Sequence, residues 1–197
     1  MKLFVSPHND DEVLFGAFTL MVEKPIVVVV YDSYVQAERG LKGCSWQARR
    51  METVAACGSL GIPPRNICFL EFPDNEVAAV ERIISKLHCV AEVHSEAAKE
   101  EVTTVYAPAG YSPKGNPHHN KVSIACRMAF APGKLQFYHT YTADGKVTKG
   151  RRVAIPEHMP AVAMKLAALL EYDSQLNLWS TRDHFLRDQY EYMEEKA

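Results

Sequence analysis

The sequence predicts an α/β protein, Rossmann-like, with a mostly parallel sheet flanked by helices on both faces and a C-terminal hairpin and helices beyond it. Three observations carry this expectation. Short apolar runs of strand-like composition alternate with longer segments of helical periodicity, the pattern of repeated βα units. Ile26-Val27-Val28-Val29-Val30 is apolar at every position, as a strand buried on both faces of a parallel sheet must be. The polar heptad Ser6-Pro7-His8-Asn9-Asp10-Asp11-Glu12 lies between the short run Lys2–Val5 and the apolar stretch Val13–Val22, on a strand-to-helix turn where doubly wound folds place their chemistry.

Taken in order, strand one covers about residues 2–6 and the first helix starts at Glu12. Strand two is 26–31, and a helix from about Ser45 to Leu60 stops at Gly61 and Pro63-Pro64. Ile67–Leu70 is strand three. Asp74 or Asn75 then caps a helix through Val77, Val80, Ile83, Ile84 and Leu87 to about Lys99. Strand four is Thr103–Ala107, and a loop from Pro108 to Pro117 leads to a helix from about His118 to Phe130. Leu135–Tyr141 and Lys146–Ile155 read as two strands of a hairpin turning at Asp144-Gly145. An amphipathic helix follows from Pro160 to about Glu171, and a charged helix near Arg182–Glu195 ends the chain.

Length and charge narrow the function classes. The 197 residues suit one domain spanning 1–197, and the formal charge of −2 gives no basic surface for nucleic acid. Pro25–Val30 is too short to span a bilayer, and the immediate first strand leaves no room for a signal peptide. Five cysteines without a C-x-x-C pair suggest reduced thiols packed as small hydrophobes and a cytoplasmic protein. The sequence is compatible with a homo-oligomer.

The heptad holds one imidazole and three carboxylates, more than a helix start needs. A cap and a favourable first turn account for Asp10 or Asp11 and for Glu12. They leave His8 unexplained, and its H-x-x-D spacing to Asp11 offers a nitrogen and an oxygen ligand from one turn. A second polar cluster, Lys114–Asn120, follows strand four. In the common order 3-2-1-4-5 the loops after strands one and four face each other. His8, Asp11 and either His118 or His119 then converge, two histidines and a carboxylate with room for water, which is a catalytic zinc set. Asp32, at the end of strand two, is expected to line the same crevice as a substrate-binding residue.

At this point the chain resembles a known family. Ser6–Glu12 is similar to the "(A/S)HPDDE" signature of the LmbE-like (PIG-L) zinc-dependent de-N-acetylases. Arg49-Arg50-Met51-Glu52 with Ala56, Leu60 and Gly61 resembles that family's R-x-x-E…LG helix, and Phe69–Asp74 its "LGFPD" strand end. Asn116-Pro117-His118-His119 stands where the family has "HPDH", and Lys165, Ala168-Leu169 and Ser174-Gln175 resemble its late helix. The resemblance implies zinc held by His8, Asp11 and His119, with Asp10 as general base. It places Arg49 toward substrate, an i,i+3 pair with Glu52 being the competing account. Asp74 is expected to be a cap, and Ser174 and Gln175 to secure a helix end.

The implied reaction removes an N-acetyl group from a small amino sugar or glycoconjugate. Two departures stand out. Asn116 replaces the family's first histidine of the loop motif and His118 its aspartate, while Tyr31-Asp32-Ser33 differs from the family's "TDG". Asn116 is therefore the candidate oxyanion donor and His118 the competing candidate for the proton. A metal- or carbohydrate-binding homologue without turnover, and a metal-dependent hydrolase of another bond, are the alternatives. A nucleotide-binding module is disfavoured, since no G-x-G-x-x-G follows strand one.

Overall fold

The computed structural model describes residues 1–32, 45–110, 116–140, 150–176 and 191–194. Seven strands form one sheet in the order β3-β2-β1-β4-β5-β7-β6. They are β1 (Lys2–His8), β2 (Ile26–Tyr31), β3 (Ile67–Phe72), β4 (Thr104–Pro108), β5 (Leu135–Tyr138), β6 (Arg151–Arg152) and β7 (Tyr192–Met193). The pairs from β3 to β5 are all parallel, whereas β7 runs antiparallel to both β5 and β6. The helices are α1 (Asp11–Glu23), α2 (Trp46–Ser59), α3 (Val80–Ala98), α4 (Pro117–Ala129), α5 (Ala161–Leu170) and α6 (Asp173–Leu176). The fold is the expected α/β architecture, with the order 3-2-1-4-5 intact.

Side chains alternate across a strand, so β1 and β2 divide themselves between two cores. Phe4, Val27 and Val29 pack with α1, α2 and α5 on one face. Leu3, Val5, Val28 and Val30 pack with α3 and α4 on the other. Helix α1 is buried from Asp11 to Met21, which explains its nearly uniform apolar composition. Gly16 on that helix is required by contact, because a Cβ there would stand 2.2 Å from the Phe4 ring. Gly61 ends the turn after α2 with φ 80°, the left-handed conformation that glycine adopts without strain.

Strand β1 lies between β2 and β4 at the point where the chain switches sides of the sheet. The C-terminal end of β1 therefore lies against the start of α4.

Several expectations need correction. The hairpin does not form as read, since β7 lies between β5 and β6; its turn at Asp144-Gly145 is outside the described residues. Residues 192 and 193 are a strand at the end of the expected terminal helix, and 182–190 are outside the described residues. Period-2 and period-3.6 patterns cannot be told apart over so few residues, and β7 is set by its neighbours in the sheet. Helix α3 starts at Val80 with Ala79 at its cap. Asp74 lies upstream of that cap position, and its carboxylate is instead 3.4 Å from Arg49 Nη1. Cys57 and Cys126 are buried as expected, but Cys89 is exposed, and Cys44 is outside the described residues. No helix among the described residues is long and apolar enough to cross a membrane.

Candidate metal centre

The turn from β1 into α1 is built from strained backbone. Asp10 has φ 120°, a region that side chains rarely adopt and that costs about 1–3 kcal/mol. Three contacts hold it there. Asp10 N donates to Glu12 Oε2 at 3.1 Å. Arg49 Nη2 donates to the Asn9 carbonyl at 2.7 Å, and Asn9 Nδ2 donates to Thr53 Oγ1 at 2.9 Å. Glu12 is itself buried, with Ser6 Oγ 3.0 Å away and the Tyr172 hydroxyl donating to its other oxygen. Burial pushes the Glu12 carboxyl up, against the pull of the Tyr172 hydrogen bond.

The strain has a chemical consequence. Asp10 occupies the cap position of α1, yet its side chain makes no cap hydrogen bond. Its carboxylate instead lies 3.9 Å from Arg49 Nη2. Burial, and then the neighbouring Asp11, push the Asp10 carboxyl well up, with Arg49 opposing.

His8, Asp11 and His119 converge beside it. Asp11 Oδ2 is 3.1 Å from His8 Nδ1 and 3.0 Å from His119 Nε2, and the two nitrogens are 3.3 Å apart. Burial alone would raise Asp11, but the facing His119 and His8 hold it well below the usual carboxylate range. A tetrahedral ion with bonds of about 2.0–2.1 Å sets its ligands about 3.3 Å apart, so the spacing of these three atoms fits a zinc-sized cation. The donor chemistry fits as well, two imidazole nitrogens and one carboxylate.

The adjacent pair at the start of α4 divides its work around the His8 ring. His119 Nε2 faces His8 Nδ1, while its own Nδ1 is 3.1 Å from Thr140 Oγ1. His118 Nδ1 is 2.8 Å from His8 Nε2, and its Nε2 donates to the Glu76 carbonyl at 3.1 Å. Both histidines are buried, so His118 is no solvent-facing residue of a first turn. Burial and then His8 lower His118 to about 4. Asn116 caps α4, its Oδ1 accepting from His118 N at 2.9 Å, and its amino group takes no part in that bond.

A model of the GlcNAc-PI de-N-acetylase (PIG-L) family matches residues 3–130, which include the whole of this centre apart from Thr140 and Tyr172. The chain belongs to that family. A search of curated proteins gave no match. Among solved structures, N,N'-diacetylchitobiose deacetylase from Pyrococcus horikoshii superposes with a TM-score of 0.69 at 21% identity, over 94% of this chain and 75% of that one. A deacetylase of the teicoplanin biosynthesis pathway has a TM-score of 0.62 at 17% identity, over 93% and 89%. The 4-carboxy-2-hydroxymuconate hydratase GalB from Pseudomonas putida KT2440 has a TM-score of 0.66 at 19% identity, over 95% and 84%. At these identities the structures show the fold alone.

The other residues singled out in this PIG-L chain are placed as follows. Arg49 does not pair with Glu52; it reaches Asn9, Asp10 and Asp74, and Glu52 accepts from Ser174 N at 2.8 Å and Ser174 Oγ at 2.6 Å. Ser174 thus ties α6 to α2. Asp32 is buried at the end of β2, ion-paired with Arg50 and accepting from Glu71 N at 2.7 Å. Burial raises its carboxyl while Arg50 opposes. Sequence reasoning missed Tyr31, Glu76, Thr140 and Tyr172 as supports of the centre. Only Tyr31 left a signal, as the first residue of the departure from "TDG".

Proposed function

We propose that this PIG-L chain is a zinc-dependent hydrolase that removes an N-acetyl group from a small amino sugar or glycoconjugate. The observation that carries the reading is the convergence of His8, Asp11 and His119 next to an Asp10 carboxylate that strained backbone keeps out of its cap. Family membership supports amide hydrolysis. The fold does not decide it, because a hydratase shares that fold.

In this reading His8 Nδ1, Asp11 Oδ2 and His119 Nε2 hold the zinc. Bound there, zinc acts as a Lewis acid that acidifies water and polarises an amide carbonyl. Asp10 takes one proton from the attacking water and returns it to the departing amine nitrogen, so that water and amide leave as the free amine and acetic acid, which ionises to acetate by releasing the second water proton. Arg49 orients Asp10 and lines the substrate side of the turn. The amino group of Asn116 donates to the developing oxyanion, as an amide can do without delivering a proton. His118 is not assigned the proton, since both of its ring nitrogens are engaged. Asp32 is assigned to the crevice wall through Arg50 and not to direct substrate contact.

The test is a panel of N-acetylated sugars assayed for released amine with zinc-loaded and chelated protein. Zinc-dependent amine release from at least one sugar supports the proposal. Stoichiometric zinc with no amine released anywhere in the panel, together with unimpaired sugar binding, favours the binding homologue without turnover.

A further inference from the structure

We infer that His118 is a positioning residue, which fixes the proton of His8 on Nε2 so that the Nδ1 lone pair of His8 is presented to the metal. The inference rests on the proposed metal site and concerns how that site is kept in one state.

The argument runs inward from Glu76. A backbone carbonyl can only accept, so the hydrogen bond at 3.1 Å puts a proton on His118 Nε2. A neutral His118 then has a bare Nδ1. That atom is 2.8 Å from His8 Nε2, which must carry the proton between them. His8 has one proton to hold when neutral, and its Nδ1 is left with a lone pair. This Nδ1 is the atom that faces Asp11 Oδ2 and His119 Nε2. Ligand histidines usually have their second nitrogen fixed by a carboxylate, carbonyl or water. Here the carbonyl is two residues removed in the chain of bonds, and an imidazole transmits its preference.

The relay is held in place from the side. The Tyr31 ring stacks on His118 with centroids 4.0 Å apart and an interplanar angle of 15°. Tyr31 is in turn fixed by Ala78 N, which donates to its hydroxyl at 3.2 Å, two residues from Glu76. Register places Tyr31 opposite His8 on β2. Two of the positions where this chain leaves the family's pattern, 31 in one motif and 118 in another, are therefore packed against each other beside one candidate ligand.

The test separates hydrogen bonding from packing. His118→Phe keeps a flat ring against Tyr31 and removes the acceptor. His118→Asn removes the ring and returns an oxygen near the place of Nδ1. Zinc and cobalt(II) dissociation constants are measured for the wild type and both variants, with circular dichroism to confirm folding. In parallel, ¹⁵N imidazole shifts of the metal-free proteins report which His8 nitrogen carries hydrogen. We expect the metal to bind 10–100-fold more weakly in His118→Phe and within a few-fold of wild type in His118→Asn. Asp11 Oδ2, 3.1 Å from His8 Nδ1, draws the proton the other way when metal is absent, so we expect the Nε2–H tautomer of His8 to be more populated in wild type than in His118→Phe. Metal binding unchanged by Phe and lost with Asn would make His118 a packing residue and overturn the inference, as would an Nε2–H population of His8 no greater in the wild type than in His118→Phe. If the wild-type chain binds neither metal, the proposed function fails, and the tautomer measurement still decides the relay.

Discussion

Two buried charged clusters lie against helix α1, and they are built on opposite principles. At the first turn, His8, Asp11 and His119 bring three lone-pair atoms within 3.3 Å of one another. One turn and more further on, Lys165 Nζ donates to Glu191 Oε1 at 2.9 Å and to the Leu14 carbonyl at 2.8 Å. Glu191 also accepts from Phe18 N at 2.9 Å. The second cluster is complete, with a donor for every acceptor. The first sets two ring nitrogens against one carboxylate oxygen, an arrangement that a bound cation would complete. Burial alone does not distinguish a structural charge from a functional one; the balance of donors and acceptors does.

The largest effect should come from the acid that neither cluster satisfies. Asp10→Asn is expected to lower turnover 10²–10⁴-fold while retaining zinc. Asp11→Asn should lose the zinc itself. Elemental analysis beside kinetics separates the two, and zinc lost first from Asp10→Asn would show that the turn is read one residue out of phase.

Next comes the complete cluster, which should behave as a stability element. Lys165→Met alone leaves Glu191 buried and unpaired, and should cost about 3–5 kcal/mol in denaturant unfolding. Lys165→Met with Glu191→Leu should recover most of that loss. A double variant as unstable as the sum of the singles would mean that the pair itself, and not its imbalance, supplies the stability.

A cation should stabilise only the first cluster. Zinc at one hundred times its dissociation constant is expected to add about 2.7 kcal/mol to the wild-type chain and to the Lys165/Glu191 double variant alike. It should add nothing to Asp11→Asn. Thermal melts with and without zinc check this, and equal gains in all three would place the ion elsewhere.

The smallest effect concerns pH. Burial raises Glu191 above the ordinary glutamate value of 4.5, against Lys165 and the Phe18 amide. A carboxyl raised on folding binds more protons in the native than in the unfolded state between those two values. Stability contributed by this group is therefore present below pH 4.5 and falls as pH rises through its native value. Glu191→Gln should remove that slope from a plot of unfolding free energy against pH, and a slope that persists would assign it to another group.

Much of this was legible in the order of residues. The fully apolar Ile26–Val30 announces a central parallel strand, because only burial on both faces tolerates it. Val13–Val22 announces a helix covered on all sides, and the polar heptad before it marks the turn. From the H-x-x-D spacing and the strand order the sequence also brings His8 and Asp11 to the loop after β4. What it leaves open is which of His118 and His119 joins them.

Only the tertiary structure decided the rest, because the partners are distant in the chain. Adjacent histidines project in different directions from one helix start, and which of them meets Nδ1 of His8 depends on how α4 docks on the sheet. The placement of Asp10 goes with a φ of 120° that Glu12 holds from the next turn and that Arg49 and Thr53 hold from α2, tens of residues away. Strand β7 has too few residues for a period of its own and exists through pairing with β5 and β6. The sequence determined which chemistry is present at the end of β1; long-range packing determined which atoms of it face one another.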